Sequence, residues 1–247
     1  CLLDYARRCT FHVGDSPIEN VESFAHLGHV ISNNLVDNDD ILKRRNDFVG
    51  QANNALCFFS KLKSSIVYKL FQSYCMSLYG CELWLLSNTH IEDLCVSWRK
   101  CLRRVWRLPY RTHCYLLPLI CECLPLEDEI RRRSLNFIRD CLCNSSRLVN
   151  DIANYGIYYG RYDSILGHNA LFCANKFNVN ICDMNSEAKV RRAVERHFER
   201  EVAEQQLQAA GFLGELLRLR DDCLCFSNNL NFTYDELATL INDICTS

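Results

Sequence analysis

Five cationic side chains within nine residues form the densest group of chemically active residues in the sequence. They are Arg99, Lys100, Arg103, Arg104 and Arg107. Their spacings of one, three and four residues place them on one continuous face of a helix. Like charges this close repel each other unless an anion lies against them. The pattern predicts contact with a nucleic-acid backbone, and a simply solvated face is the alternative.

Further cations surround this group, which we call the α3 ridge because it falls on the third predicted helix. Lys43, Arg44 and Arg45 crowd the first turn of an earlier predicted helix, where cations oppose the helix dipole and a phosphate would relieve them. Arg111 extends the positive patch beyond the helix. Residues 41–112 carry twelve Lys and Arg against four Asp and Glu, a balance of +8, whereas the whole chain has a net charge of −2. The asymmetry favours a polyanionic partner.

Other residue types offer weaker signals for catalysis or metal binding. Asp39 and Asp40 form an acidic pair, but their place before a helix predicts capping rather than metal-dependent phosphoryl transfer. The three histidines outside any motif are expected at the surface: His90, His168 and His197. No nucleophile elbow, phosphate loop or dinucleotide fingerprint is present. The sequence therefore predicts no catalytic site and no cofactor in this chain.

The 17 cysteines are odd in number and lie mostly within apolar helical patterns, which favours free thiols in a reduced, intracellular compartment. That compartment is the cytoplasm, the nucleus or both. One set could in principle ligate zinc: His113, Cys114, Cys121 and Cys123. Its irregular spacing and the poor bite of Cys-x-Cys on a tetrahedral ion favour buried thiols instead.

The elements that carry these residues predict a mainly α fold with a short N-terminal β-hairpin element, a helical bundle and further C-terminal helices. Strands are expected around Gly14 and around Gly28, within residues 9–32. Predicted helices cover residues 41–61, 65–86, 89–108, 125–143, 146–154, 186–210 and 233–245, and residues 155–185 read as an irregular linker. A Thr89–Glu92 capping box opens the third helix, and Arg131, Arg132 and Arg133 face outward from the fourth. No uncharged apolar window is long enough to span a membrane.

Three short motifs occur in a fixed order along the first half of the chain. The first is Phe24, Leu27 and Gly28; the second is Tyr79, Gly80, Glu82 and Trp84; the third is Leu102, Arg103 and Arg104. In this order they resemble the primer grip, a thumb element and a following basic run in the C-terminal part of non-LTR (LINE-type) retrotransposon reverse transcriptases. The resemblance divides the chain into a palm edge (1–36), a thumb-like basic bundle (37–112), a helical connection (113–185) and C-terminal helices (186–247).

The resemblance implies that the chain holds a template–primer duplex of RNA or RNA–DNA. Phe24 and Leu27 would anchor the primer-grip turn in a core, and Gly28 would let the backbone approach the nucleic acid. The family's Asp-Asp strand, which binds two magnesium ions, does not occur in this chain. The chain is therefore expected to be inactive as a polymerase alone and to work with the remainder of its parent polymerase. Its start at Cys1 without methionine is consistent with a fragment.

A rival hypothesis comes from the acidic C-terminal section, where residues 186–247 have a balance of −4. The amphipathic patterns of residues 186–210 and 233–245 are typical of helices that pair with partner helices. On this interpretation the chain is a helical protein-interaction module derived from a decayed retroelement, without a nucleic-acid function.

Overall fold

The computed structural model describes residues 11–19 and 21–219 and shows a mainly helical protein with two small N-terminal hairpins, which confirms the predicted fold class. The strands are β1 (His12–Val13), β2 (Ser16–Pro17), β3 (Ser23–His26) and β4 (His29–Ser32). The α-helices are α1 (Asn38–Phe59), α2 (Ser64–Cys75), α3 (His90–Val105), α4 (Leu116–Cys121), α5 (Leu126–Leu142), α6 (Arg147–Asn154), α7 (Ile165–Phe177) and α8 (Glu187–Leu219). The predicted helix 233–245 and the first ten residues lie outside the described part of the chain.

Both hairpins turn at the glycines that the sequence indicated. Gly14 has a φ of +60° in the turn between β1 and β2. In the second hairpin His26 pairs with His29, so Leu27 and Gly28 alone form the turn, with φ of +48° and +85°. Two successive left-handed residues are the mark of a type I′ turn, whose twist matches that of the strands. Glycine adopts this conformation freely, whereas Leu27 does so at a steric cost.

The first three helices form a bundle in which α1 and α3 run parallel. Near their starts the Asn88 side chain donates to Asn38 Oδ1 at 2.9 Å, and near their ends Arg107 donates to the Ser60 carbonyl at 2.6 Å. After a four-residue link α2 turns back along them, and Phe71 meets Phe48 edge to face with ring centres 5.6 Å apart. This geometry places Arg104 of α3 beside the second half of α1, and Arg107 beside its end. Arg107 was predicted within the helix, but α3 ends at Val105 and Arg107 follows it with a left-handed φ of +54°.

The second helix is shorter than predicted, because α2 ends at Cys75 instead of continuing to residue 86. Gly80 has a left-handed φ of +82° and precedes a 3-10 helix, Cys81–Leu83. The segment was predicted to be helical because it is rich in apolar residues, including the fully buried Trp84. A buried turn is as rich in apolar side chains as a buried helix, so composition does not distinguish the two. The expectation that Gly80 lies within a helix is wrong, because the helix has already ended at Cys75 and Gly80 lies in the turn that follows it.

Helix starts also differ from the predicted caps. Thr89 makes no side-chain cap on α3, so the Thr89–Glu92 capping box does not form. Instead, the helix is capped from one residue earlier, because Asn88 Oδ1 accepts the His90 N–H at 2.9 Å. The two residues differ in position along the chain, but either satisfies a free N–H of the first turn.

The three consecutive arginines of α5 do not simply face solvent as predicted. Arg133 donates to the Met76 and Ser77 carbonyls at 2.9 and 2.8 Å and therefore closes the turn after α2. Burial alone raises the pKa of Glu129, but hydrogen bonds from Arg132 and Arg133 bring it below its usual range. These contacts show that the outward-facing interpretation was wrong, because a carboxylate one helical turn earlier holds the guanidinium groups against the chain.

The predicted linker at residues 155–185 is in fact an ordered part of the core. It contains a π-helical turn, Tyr155–Tyr159, followed by α7 and a 3-10 helix, Ile181–Asp183. Buried Asn169 donates to the Trp84 carbonyl at 2.8 Å and accepts the Leu86 N–H at 3.0 Å. The Tyr, Asn and Gly composition suggested a loop because an asparagine that bridges buried backbone groups cannot be told from a surface asparagine by sequence.

The remaining long helix, α8, packs its apolar stripe on the same core. Val190, Ala193 and His197 are buried against the chain itself. One cluster of buried apolar residues runs from Ile41 to Ala193 and includes members from every α-helix of the described part of the chain, with α6 contributing Ala153. Within residues 11–19 and 21–219, no helix is both long and apolar enough to cross a membrane.

Candidate nucleic-acid interface

One edge of the α3 ridge lies over the end of α1. Arg104 donates to Asn53 Oδ1 at 2.5 Å. Arg107 donates to the carbonyls of Ser60 and Leu62 at 2.6 and 3.2 Å. Both arginines are exposed, and their hydrogen-bond partners are neutral oxygens. Neutral partners orient a guanidinium group without cancelling its charge, so these two side chains remain cationic at the surface.

The other edge of the ridge faces the chain that follows α3. Arg103 donates to the Thr112 carbonyl from Nε and Nη2, at 3.1 and 2.8 Å, and so holds that turn in place. Arg99 donates to Glu92 on the same helix and forms an ion pair. Among the five ridge cations, Arg99 is the one for which the structure of residues 11–19 and 21–219 shows an ion pair. Lys100, near the middle, is exposed.

The predicted cations of α1 form a separate group at the start of that helix. Arg44 Nη2 and Lys43 Nζ donate to the Gly28 carbonyl at 2.8 and 3.4 Å, and the Arg44 guanidinium lies 5.7 Å from the centre of the Tyr79 ring. Arg45 donates to Asn46 at 3.4 Å. At 1.5 Å per residue, the rise of α1 separates Arg44 from Asn53 by about 14 Å. The structure therefore divides the predicted cations into two patches.

Of the primer-grip-like residues, Leu27 and Gly28 form the tip of the second hairpin, and Phe24 lies within β3. Phe24 is 60% exposed and Leu27 is 74% exposed, so neither anchors the turn in a core as predicted. A two-stranded hairpin presents one face to α1, where Ser32 is buried, and these two side chains lie away from it. The Gly28 carbonyl, rather than a missing side chain, is the functional group of the turn, since it receives the two α1 cations.

The residue that fixes the hairpin to the bundle is Asp40, for which the sequence suggested helix capping. Its carboxylate is 2% exposed and lies beneath the hairpin. It accepts the Val30 N–H at 2.9 Å and the Trp84 Nε1–H at 2.8 Å, and His29 Nδ1 lies 3.1 Å from its Oδ2. The capping prediction is wrong for Asp40 because α1 begins at Asn38 and turns this carboxylate inward.

A signal for this role was present in the sequence. Asp40, Arg44, Phe48 and Ala52 recur every four residues, so Asp40 stands on the apolar face of α1. A carboxylate on such a face requires buried donors. Trp84 supplies one of them from the second motif.

The second motif meets the second hairpin at this carboxylate. Trp84 binds it directly, the Tyr79 ring lies 5.7 Å from the His29 ring, and Gly80 packs against His29. Residues of the hairpin and of the turn after α2 thus share one small buried polar cluster, which we call the Asp40 clasp. The clasp connects the hairpin tip to the helices that carry both cationic patches.

Gly80→Ala should lower the free energy of unfolding by about 2–3 kcal/mol, as measured by urea denaturation. A Cβ on Gly80 would lie 1.6 Å from His29 Nε2, and the φ of +82° disfavours any side chain. The His29 ring cannot move away without losing its contact with Asp40.

Gly50→Ala on the exposed side of α1 is the matched control, since a Cβ there has no atom within 4 Å. It should stabilise the protein by about 0.5–1 kcal/mol through helix propensity. Equal effects of the two substitutions would show that Gly80 does not support the clasp.

The histidine and cysteine predictions meet different outcomes. His168 is exposed as predicted, whereas His197 is buried, with Nε2 lying 2.9 Å from Asp128 Oδ2. His197 was misread because its partner is 69 residues away on α5. In the described residues His113 and Cys114 do not belong to either group of side chains close enough to share a metal ion.

One of those two groups is Asp128, His197 and Glu201. The Lys176 ammonium already lies 3.5 Å from both carboxylates, and Arg131 donates to Asp128 at 2.6 Å. With two cations and a histidine around its carboxylates, this group is a salt-bridge network rather than a cation site.

The described surface therefore offers two cationic patches, one of them beside the Asp40 clasp, and such a surface can bind phosphates through charge and hydrogen bonds. Comparisons of the chain with protein-family models, curated proteins and solved structures find no match.

Proposed function

We propose that the chain holds the backbone of a template–primer duplex, RNA or RNA–DNA, for a catalytic centre that lies outside this chain. The observation that carries the proposal is the bonding of Arg104 and Arg107 to neutral oxygens at an exposed edge. Each guanidinium has five N–H donors, and these contacts use only some of them. The remaining donors are oriented before any ligand arrives, which reduces the entropy lost on binding.

The surroundings of this edge fit a nucleic-acid backbone. Lys61 and Lys63 are exposed next to the carbonyls that hold Arg107. Phe58 and Tyr110 are 80% and 78% exposed, and each lies within a few residues of these cations in sequence. Exposed aromatic side chains between cations can stack on unpaired bases at a duplex end. Cations and aromatics together favour a nucleic acid over a small anion.

The hairpin patch supplies a second contact. It lies about 14 Å along α1 from the α3 edge. Successive phosphates on one strand of a duplex are about 3.4 Å apart along the axis, so this separation spans about four nucleotide steps. Contacts at two places would hold a duplex through its backbone and shape, without reading base sequence.

The rest of the proposal follows the resemblance. The partners are the duplex and the remainder of a LINE-type reverse transcriptase, which would contribute the Asp-Asp strand and its magnesium ions. The compartment is the cytoplasm, the nucleus or both. On this proposal the chain alone binds a duplex and does not extend a primer.

The combined substitution of Lys100, Arg104 and Arg111 by alanine should weaken binding to an RNA–DNA duplex by about tenfold or more at low salt. The three side chains are exposed, so the fold does not depend on them as it does on Arg103. Each lost phosphate contact should also reduce the slope of log affinity against log salt by nearly one. Fluorescence anisotropy with a labelled duplex at several salt concentrations measures both quantities.

The matched control replaces Arg191, Arg192 and Arg196 on α8 by alanine. These side chains are equally exposed, and their replacement removes the same amount of charge. Its affinity and salt slope should remain near those of the unmodified chain. If both triple variants weaken binding equally, the effect comes from net charge and the α3 edge is not the binding surface. If the unmodified chain binds no duplex at low salt, the proposal is refuted.

The rival hypothesis of a protein-interaction module requires a free apolar face on the helix predicted at residues 186–210. In α8 the first part of that stripe is occupied, since Val190 is buried and Val194 half-buried against the chain's own core, and the second helix of this hypothesis, predicted at 233–245, lies outside the described residues. Binding of duplex by the unmodified chain, with the salt dependence described above, would separate the two hypotheses directly.

A further inference from the structure

Cys121 and Cys123 lie on either side of a sharp backbone turn. Cys121 is the last residue of α4, and Glu122 between the two cysteines has a left-handed φ of +43°. The Cys123 N–H donates to the Pro118 carbonyl at 3.2 Å and closes the turn. An extended link of two residues spans about 7 Å, which is beyond the usual Cα separation of a disulfide. The turn at Glu122 brings the two thiols into hydrogen-bonding contact instead.

The two thiols differ in access. Cys121 is buried, whereas Cys123 is partly exposed and lines a cavity of ≈ 240 Å³ between α2 and the start of α5. Other lining residues are Tyr68, Gln72, Met76, Glu129 and Arg133. A small reagent in this cavity meets the Cys123 sulfur first, with the Cys121 sulfur behind it.

The Tyr68 hydroxyl group contacts both cysteines. Tyr68 donates to the Cys121 carbonyl at 3.1 Å and accepts from Gln72 Nε2 at 2.9 Å. Its hydroxyl also lies within hydrogen-bonding range of both thiols. A hydroxyl carries one proton, which can turn from the carbonyl to a thiolate when Cys123 ionises.

These contacts separate the acidity of the two cysteines. A hydrogen bond from Cys121 lowers the pKa of Cys123 against the opposing effect of burial, and Tyr68 lowers it further. Burial raises the pKa of Cys121 well above its usual range. Burial likewise raises the pKa of Cys95 and of Cys173 to about 12. Of the described cysteines with a shifted pKa, Cys123 is the one for which the shift is downward.

We propose that Cys121 and Cys123 form a reactive dithiol site whose substrates are low-molecular-weight disulfides. The accessible Cys123 is the attacking residue and the buried Cys121 is the resolving residue. This site goes beyond duplex binding and does not depend on it.

The reaction balances with the disulfide as oxidant. The Cys123 thiolate attacks one sulfur of the small disulfide, the S–S bond breaks, and one thiolate leaves and takes a proton. Cys121 then loses its proton and attacks the Cys123 sulfur, which releases the second half of the reagent as a thiol. The protein loses two electrons and two protons, and the small disulfide becomes two thiols.

The test uses the full chain, reduced and then treated at neutral pH with bis(2-hydroxyethyl) disulfide. After acid quenching, digestion and tandem mass spectrometry, the unmodified chain should show a Cys121–Cys123 disulfide. Cys121→Ser should instead accumulate a mixed disulfide at Cys123, because no resolving thiol remains. Cys123→Ser should show neither product at this turn, and Cys57→Ser, which removes an exposed thiol on α1, should leave the Cys121–Cys123 product unchanged.

Tyr68→Phe provides a second measurement that does not remove a sulfur. It should slow modification of Cys123 several-fold, because the thiolate loses a hydrogen-bond donor. Circular dichroism on each variant identifies any that fail to fold. If a cysteine variant does not fold, the rate of Cys123 modification in Tyr68→Phe tests the proposal. Modification of exposed Cys57 with no product at Cys123 in the unmodified chain would overturn the proposal, as would an unchanged rate in folded Tyr68→Phe.

Discussion

Asp40→Ala should lower the free energy of unfolding by about 3–5 kcal/mol, the largest loss expected from one side chain in the hairpin half of the protein. The substitution leaves the buried Trp84 indole N–H and the partly buried Val30 N–H without an acceptor, and a buried group of this kind costs about 1–3 kcal/mol. It also removes the contact that orients His29. Urea denaturation followed by tryptophan fluorescence measures the change.

Asp39→Ala is the matched control, because it removes a neighbouring carboxylate that is exposed on the same helical turn. Its effect should stay within about 0.5 kcal/mol. Asp40→Asn should fall between the two, since an amide oxygen can still accept one of the buried donors. A loss of less than about 1 kcal/mol in Asp40→Ala would mean that the clasp does not hold the hairpin.

Asp128→Ala should cost about 3–5 kcal/mol in the other half of the protein, because breaking a buried ion pair leaves its partners uncompensated. The Asp128 carboxylate binds Arg131 at 2.6 Å and His197 at 2.9 Å, and both its own side chain and that of His197 are almost fully buried. Lys176 would retain only Glu201 at 3.5 Å. Urea denaturation again gives the free energy of unfolding.

Asp140→Ala on the same helix is the control, since it breaks an exposed pair with Arg139 and should cost less than about 1 kcal/mol. A double-mutant cycle with His197→Ala isolates the buried contact from other effects of truncation. Strictly additive losses for Asp128→Ala and His197→Ala would indicate that the two side chains do not interact in the folded protein.

Local signals in the sequence were sufficient for part of this fold. The hairpin turns at Gly14 and Gly28 followed from residue type, because left-handed backbone favours glycine. The apolar periodicity of α1 and α3 predicted helices that the structure contains, because packing on one face imposes that period. The mainly α fold class depended on these features alone.

The rest depended on partners distant in the chain. Asp40 meets Trp84 across 44 residues and Asp128 meets His197 across 69, so the partner of neither buried carboxylate could be identified from its neighbours in sequence. The left-handed turn at Gly80 has the same origin, since this glycine packs against His29 of the distant second hairpin. For the cations, spacing predicted a common helical face, but it could not predict that Arg103 holds a turn while Arg104 stays exposed.

Asn169 has a mechanical consequence that reaches well beyond α7. Its side chain hydrogen-bonds to the backbone on both sides of Leu85. The Trp84 indole donates to Asp40, and Asp40 in turn accepts the Val30 N–H of β4. These hydrogen bonds connect α7 to the second hairpin through Trp84 and Asp40, so we expect the two elements to move together. A displacement of α7 should therefore shift the hairpin, and a displacement of the hairpin should shift α7, unless one of these hydrogen bonds breaks.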